Sequence, residues 1–290
     1  MDRRPGRHRR VFLRGGSTAA RPQHRQEGHR GTRLVSDIPD SRPTATVVIP
    51  CLNEGDAIGG LVAEVLAVAA DPNLPVRVDR VLVVDNGSTD HTAASAAAAG
   101  AGIVSEPRRG YGRACLSGVL AARDADIIVL MDGDRSDQPA ELPRLLEPLL
   151  AGEADLVIGS RIMGDYEPGS LLPQQIFGNR VATFFLRLVF RVRMTDIGPF
   201  RVIRREQLLD LGMREMTYGW SIEMIARAAK SGLRVREVPV SYRKRAAGES
   251  KVSGNLRASV KAGYRIMFAI VRAKRDSLPL PEELAEDQRP

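Results

Sequence analysis

The 290-residue chain is long enough for one large domain or two small ones, and its 43% hydrophobic and 27% charged residues are ordinary for a globular protein. Aromatic residues make up 4%, which argues against a stacking platform for single-stranded nucleic acid. No apolar run approaches the roughly 20 residues that span a bilayer, and the best candidate, residues 183–190, is broken by Arg187. Cys51 and Cys115 lack metal-ligand spacing, and with no secretory signal peptide visible they are expected as free thiols in a reducing compartment.

The net charge of +8 is unevenly divided. Residues 1–42 carry +7, residues 43–233 carry −5, residues 234–275 carry +10 and residues 276–290 carry −4. Basic ends around a mildly acidic middle suit either a nucleic acid or an anionic lipid surface. Residues 1–42, rich in Arg, Gly, Pro and His, cannot bury a core and are expected to be a disordered arm; residues 276–290 are expected to be a disordered acidic tail.

Order is predicted to begin near Ala45. The β-branched run over 46–50 predicts a strand, and Ile58, Leu61, Val62, Val65 and Leu66 at helical spacing predict a helix over 55–68. A strand over 80–85 follows, then an Ala-rich helix over 92–99 stopped by Gly100, a short strand at 103–104 and a helix over 114–123. The apolar run 127–131 predicts a fourth strand, followed by a helix over 140–151 and a strand over 155–159. Strands alternating with helices predict an α/β fold, a mostly parallel sheet covered on both faces. The second half is less regular: a helix over 177–192, an extended segment over 199–203, a helix over 222–230 and a strand over 233–242. A long basic helix over 256–275 would place Leu256, Val260, Tyr264, Phe268 and Val271 on one stripe, so that it either docks on the domain or lies on anionic lipid.

Three strand ends carry polar chemistry: Pro50-Cys51-Leu52-Asn53-Glu54, Asp85-Asn86-Gly87-Ser88-Thr89-Asp90 and Asp132-Gly133-Asp134. Any one could be a connecting turn, but open α/β sheets bind ligands at the carboxyl ends of their strands, so three on one edge would build one pocket. Asp132 and Asp134 are hard oxygen donors of the kind that hold Mg²⁺ or Mn²⁺ together with a diphosphate. Gly110, Gly112 and Gly118 could cradle a phosphate, but close helix–strand packing explains them better. Trp220 could meet a sugar or lipid or sit in the core. His91 reads as a surface residue at a helix start, and Cys51 as a small packing residue.

These three motifs, in this order, resemble the family 2 glycosyltransferases of GT-A (Rossmann-like) fold, over about residues 44–255. The resemblance implies a donor nucleotide site at Pro50, Asn53, Glu54, Asp85, Ser88 and Asp132, and a metal, Mg²⁺ or Mn²⁺, on Asp132 and Asp134. Gly159-Ser160-Arg161, Thr195-Asp196-Ile197-Gly198-Pro199-Phe200-Arg201 and Arg245-Ala246-Ala247-Gly248-Glu249-Ser250-Lys251 look like the polyprenyl-phosphate (dolichol-phosphate) branch. That branch implies one sugar moved, with inversion, from a nucleotide-sugar (UDP- or GDP-sugar) to a lipid monophosphate. Arg161, Arg243, Arg245, Ser250 and Lys251 would hold the acceptor phosphate, and Asp134, Arg161 and Lys251 would be catalytic. Two positions depart from the branch: Ser136 stands where a Gln is usual, and Ile197-Gly198-Pro199-Phe200 replaces Ser-Gly-Phe.

A phosphate monoester is already anionic at neutral pH, so it needs no strong general base; cations that offset anion–anion repulsion are the requirement. A hydroxyl acceptor would want a base, for which Glu223 is the candidate. The expected organisation is a basic arm over 1–42, a GT-A domain over 43–253 (donor and metal half 43–160, acceptor half 161–253), a basic helix over 254–275 and the acidic tail. The expected place of work is the cytoplasmic membrane surface. Alternatives are a soluble phosphorylated or hydroxyl acceptor, a nucleotidyltransferase, and a basic nucleic-acid-binding module, although no nucleic-acid partner is expected.

Overall fold

The computed structural model describes residues 40–246, Phe268 and residues 270–275. Its strands are β1 (Thr44–Cys51), β2 (Arg77–Asp85), β3 (Gly102–Ser105), β4 (Ile127–Leu130), β5 (Leu156–Ser160), β6 (Arg201–Arg204) and β7 (Val235–Pro239). They form one sheet in the order β3-β2-β1-β4-β6-β5-β7. All neighbouring pairs are parallel except those of β6, which runs against both β4 and β5. Two successive reversals return β5 and β7 to the direction of β1, β2 and β4. The carboxyl ends of those strands therefore share one edge, and the chain enters β6 from that same edge.

The helices are α1 (Gly55–Ala69), α2 (Thr92–Ala98), α3 (Tyr111–Ala121), α4 (Leu142–Leu150, preceded by a 3-10 turn Pro139–Glu141), α5 (Pro173–Phe190), α6 (Arg205–Asp210) and α7 (Trp220–Lys230). Strand alternation divides the core. Val47, Ile49, Val81, Val83 and Val129 face Ile58, Leu61, Ala96 and Leu145, from α1, α2 and α4. Val48, Leu82, Val84, Ile128 and Leu130 face Cys115, Val119, Leu186 and Ile225, from α3, α5 and α7. Gly118 permits the closest approach, since a Cβ there would lie 2.3 Å from Val48 Cγ1 and 2.9 Å from Val84 Cγ2. Gly110 and Gly112 likewise sit within 2.2 Å (Cβ position to carbonyl oxygen) of the backbone at Met216 and Glu215. Gly118 serves the expected helix–strand packing, whereas Gly110 and Gly112 pack against the segment that precedes α7.

The expected α/β, mostly parallel architecture is the observed one. The differences are local. α3 begins at Tyr111 and α5 at Pro173, both earlier than their apolar faces imply, and α6 carries no sequence signal of its own. Pro173 suits the first turn of α5, where its missing N–H costs nothing. Of the long basic helix over 256–275, only Phe268 and residues 270–275 are described; they are helical, with Ile270 and Ala273 buried in the core and Phe268 and Val271 exposed. Ser250 and Lys251 lie outside the described residues. Among the described residues no helix is long and apolar enough to cross a membrane.

Candidate active site

The edge where β1, β2, β4, β5 and β7 end gathers the three motifs. β4 delivers Asp132 and Asp134 into a tight loop whose backbone is held by its own carboxylates. The Ser136 N–H donates to Asp134 Oδ1 (2.9 Å), and the Asp132 N–H donates to Asp137 Oδ2 (3.2 Å). Gly133 has no room for a side chain, since a Cβ would lie 2.4 Å from Cys51 Sγ. From α3, the Tyr111 hydroxyl donates to Asp132 Oδ1 at 3.0 Å.

The first two motifs are clasped to each other. Asn53 adopts a left-handed backbone (φ 53°) that Asn tolerates better than most residues. Its N–H donates to Ser88 Oγ (3.0 Å) and its Oδ1 accepts from the Thr89 N–H (2.8 Å). Asp85 Oδ1 accepts from the Ser88 N–H at 3.0 Å, closing the second turn. Asn53 and Ser88 thus hold two loops together, with Pro50 buried at the end of β1 and Asp85 half-buried at the end of β2.

The basic segment after β7 is laid across the acidic loop. The Arg243 N–H donates to the Ser136 carbonyl (3.0 Å) and the Ala246 N–H to the Asp134 carbonyl (3.2 Å). Arg245 then reaches Asp134 Oδ2, Nη2 at 2.7 Å and Nε at 2.9 Å, and lies 3.6 Å from Glu54 Oε1. Arg243 is exposed. Arg161, at the end of β5, pairs with the buried Asp196 through Nε (2.8 Å) and Nη2 (2.8 Å) and lies over the Tyr242 ring. Burial works against the Arg161 charge, but the Asp196 carboxylate more than offsets it and holds the guanidinium firmly protonated. Glu237 on β7 accepts from the Thr195 and Asp196 N–H groups (2.7 and 2.8 Å), fixing the strand entry that carries Asp196.

Electrostatically the loop is short of positive charge around Asp132 and Asp137. Burial, and then the neighbouring Asp134, push Asp132 up to about 6, against the Tyr111 hydrogen bond and the nearby arginines. Burial and the same two carboxylates push Asp137 well above the carboxylate range. Asp137 Oδ1 and Ser136 Oγ are buried without a hydrogen-bond partner. The Arg245 guanidinium already sits on Asp134. A hard divalent cation fits this donor set, because Mg²⁺ in particular takes one or two carboxylates and completes its shell with phosphate oxygens and water. Among the described residues, no group of three or more His, Cys, Asp or Glu is gathered to hold such an ion alone.

Two expectations need correction or resolution. Glu223 is not placed to act as a base: it is buried in α7, bonded to Arg227 Nε at 2.8 Å, and accepts from the Arg214 and Glu215 N–H groups. Its neighbour Trp220 is core, not a ligand platform. His91 is an exposed residue before α2, 3.2 Å from Asp56. Sequence reading left Tyr111, Asp137 and Glu237 without roles. A third carboxylate three residues past Asp134 was the available signal for Asp137; a lone Tyr and a lone Glu offer none.

Residues 46–212 match glycosyl transferase family 2. The chain belongs to that family. An uncharacterised glycosyltransferase of Mycobacterium tuberculosis is 44% identical over 219 residues, covering 75% of this chain and 93% of the relative. The polyprenol monophosphomannose synthase of Mycolicibacterium smegmatis is 34% identical over 259 residues, covering 79% of this chain and 89% of the relative. Among solved structures, glucosyl-3-phosphoglycerate synthase from Mycobacterium tuberculosis in complex with Mn²⁺ and UDP-glucose has a TM-score of 0.60 at 26% identity, covering 81% of this chain and 79% of that one. As a family 2 glycosyltransferase the chain is an enzyme with the GT-A architecture, and membership favours that reading over a nucleic-acid-binding module.

Proposed function

We propose that this glycosyltransferase moves a single sugar from a nucleotide-sugar to a polyprenyl phosphate at the cytoplasmic face of a membrane, its catalytic domain spanning residues 43–253. The observation that carries the reading is the basic segment 243–246 lying across the Asp132–Asp134 loop. It brings acceptor-type cations to the place where a donor diphosphate would be held. The Mycolicibacterium relative, whose name gives it a polyprenol monophosphomannose product, supports the acceptor class.

In this reading Asp132 and Asp134 hold Mg²⁺ or Mn²⁺, which when bound offsets the diphosphate charge and favours its departure. The neighbour with Mn²⁺ and UDP-glucose supports both groups. Pro50, Asn53, Glu54, Asp85 and Ser88 shape the nucleotide site. An acceptor phosphate oxygen attacks the anomeric carbon from the face opposite the leaving group; the new C–O bond forms as the bond to the nucleoside diphosphate breaks, with inversion. Arg161, Arg243 and Arg245, with Ser250 and Lys251, counter the repulsion between the two anions. No proton has to be removed from the acceptor, which suits a site whose described residues place no His beside the carboxylates.

A second reading has its own support: the solved neighbour is named for a phosphoglycerate product, so a soluble phosphorylated acceptor fits the same cations. The test is transfer by the purified 290-residue chain with Mn²⁺, polyprenyl phosphate and 3-phosphoglycerate together, and a panel of labelled nucleotide-sugars. Label entering the organic phase, and lost in Asp134→Ala with the fold intact, is the expected result. Label confined to a water-soluble phosphorylated acceptor would overturn the lipid reading, and full activity in EDTA would overturn the metal assignment.

A further inference from the structure

α5 presents two different faces. Inward, Asn179 ties it to the strand entry beside Arg161: its Nδ2 donates to the Thr195 carbonyl (2.9 Å) and its Oδ1 accepts from the Ile197 N–H (3.0 Å). Outward, Phe177, Phe184 and Leu188 are 69%, 60% and 65% exposed, a degree at which large apolar side chains in a row call for a partner. With half-buried Val181 they fall at 177, 181, 184 and 188, one continuous stripe at helical spacing. Arg180 and Arg187 run along one side of it, and Arg191 and Arg193 follow its end; all four are exposed, and none forms an ion pair among the described residues. From Pro168 to Thr195 the sequence contains four arginines and no acid.

A basic-edged apolar stripe on an acid-free helix complements an anionic bilayer, where side chains enter the acyl boundary and arginines meet the headgroups. A second copy of this chain would bring the same positive edge against itself. We propose that the outward face of α5 is the membrane-docking surface of this enzyme, with an anionic lipid bilayer as its partner. This deepens the proposed function and rests on it, since the docking helix is tied through Asn179 to the strand entry that pairs with Arg161.

The test uses the full chain with Leu188→Cys carrying an environment-sensitive NBD label; the native Cys51 and Cys115 are buried. Vesicles of phosphatidylglycerol mixed with phosphatidylcholine should blue-shift the emission, and pure phosphatidylcholine should not. A label at the exposed Ala97 on α2 should stay unchanged in both. In unlabelled protein, Arg180→Gln with Arg187→Gln should weaken partitioning about 25-fold, about fivefold for each charge removed, and Phe184→Ser should weaken it further. These residues are exposed, so the fold should survive. Binding to anionic vesicles without a shift at position 188 would overturn the proposal in favour of the chain's other basic regions. Emission already blue-shifted without vesicles would overturn it in favour of a second copy or another segment of the chain. Docking without lipid product would leave this surface standing while the acceptor assignment fell.

Discussion

A carboxylate held beside another carboxylate in a half-dry loop resists ionisation, and Asp132 is in that position. Its folded value of about 6 lies above the ordinary carboxylate range, so protonation favours the metal-free fold. That contribution is full below about pH 4, the unfolded value, and is lost as pH rises through 6, on the order of 1–3 kcal/mol. Urea unfolding in EDTA should show wild type losing this increment between pH 4 and pH 7, and Asp132→Asn losing less of it; identical pH profiles would refute the assignment. Cation binding should show the opposite dependence, with Mn²⁺ affinity falling as pH drops below 6 because the proton competes for the ligand. Tyr111 is the residue that orients Asp132. Removing its hydroxyl in Tyr111→Phe should weaken Mn²⁺ binding about tenfold with the fold retained, measurable by calorimetry without turnover.

At the scale of the elements, two buried ion pairs hold the second half of the chain. Asp196, at the entry to β6, is the partner of Arg161, and Glu223 on α7 is the partner of Arg227. Asp196→Ala leaves a guanidinium in a largely dry site and should cost about 3–5 kcal/mol in urea unfolding. Glu223→Gln should destabilise by a similar amount yet keep kcat within a few-fold, whereas a true base would lose orders of magnitude. The elements best read in the sequence were those whose apolar runs end in polar turns. β1, β2 and β4 each announced both a strand and the loop behind it, and with Asp132 and Asp134 they announced the acidic half of the site. α6, six residues long, is too short for periodicity, and Tyr111 sat in an Arg-Gly-Tyr-Gly stretch that reads as loop. The direction of β6 is not encoded in any local pattern: it follows from which neighbours Val202 and Ile203 pair with. For the same reason the Asp196–Arg161 pair, joining residues 35 apart, could be quoted as two motifs but not seen as one contact.

For the whole molecule, ligands that select the folded state should report the site as a unit. The nucleoside diphosphate of the donor, whichever of UDP and GDP binds, with Mn²⁺ at about 100 times its dissociation constant should add about 2.7 kcal/mol of stability, or several degrees in Tm, while the same nucleotide in EDTA should add almost nothing. A large shift with the nucleotide in EDTA would separate nucleotide binding from the metal. The sheet order has a consequence of another kind. β3, β2, β1 and β4 form one contiguous block and β6, β5 and β7 another, and within the sheet the two are joined by the four residue pairs of β4 and β6. Everything before Leu130 therefore builds strands on one side of that border, and everything after it builds strands on the other. A crossover between genes near that codon would part Tyr111 from Asp132, so recombination there would keep the acidic loop intact only between parents that agree at this contact.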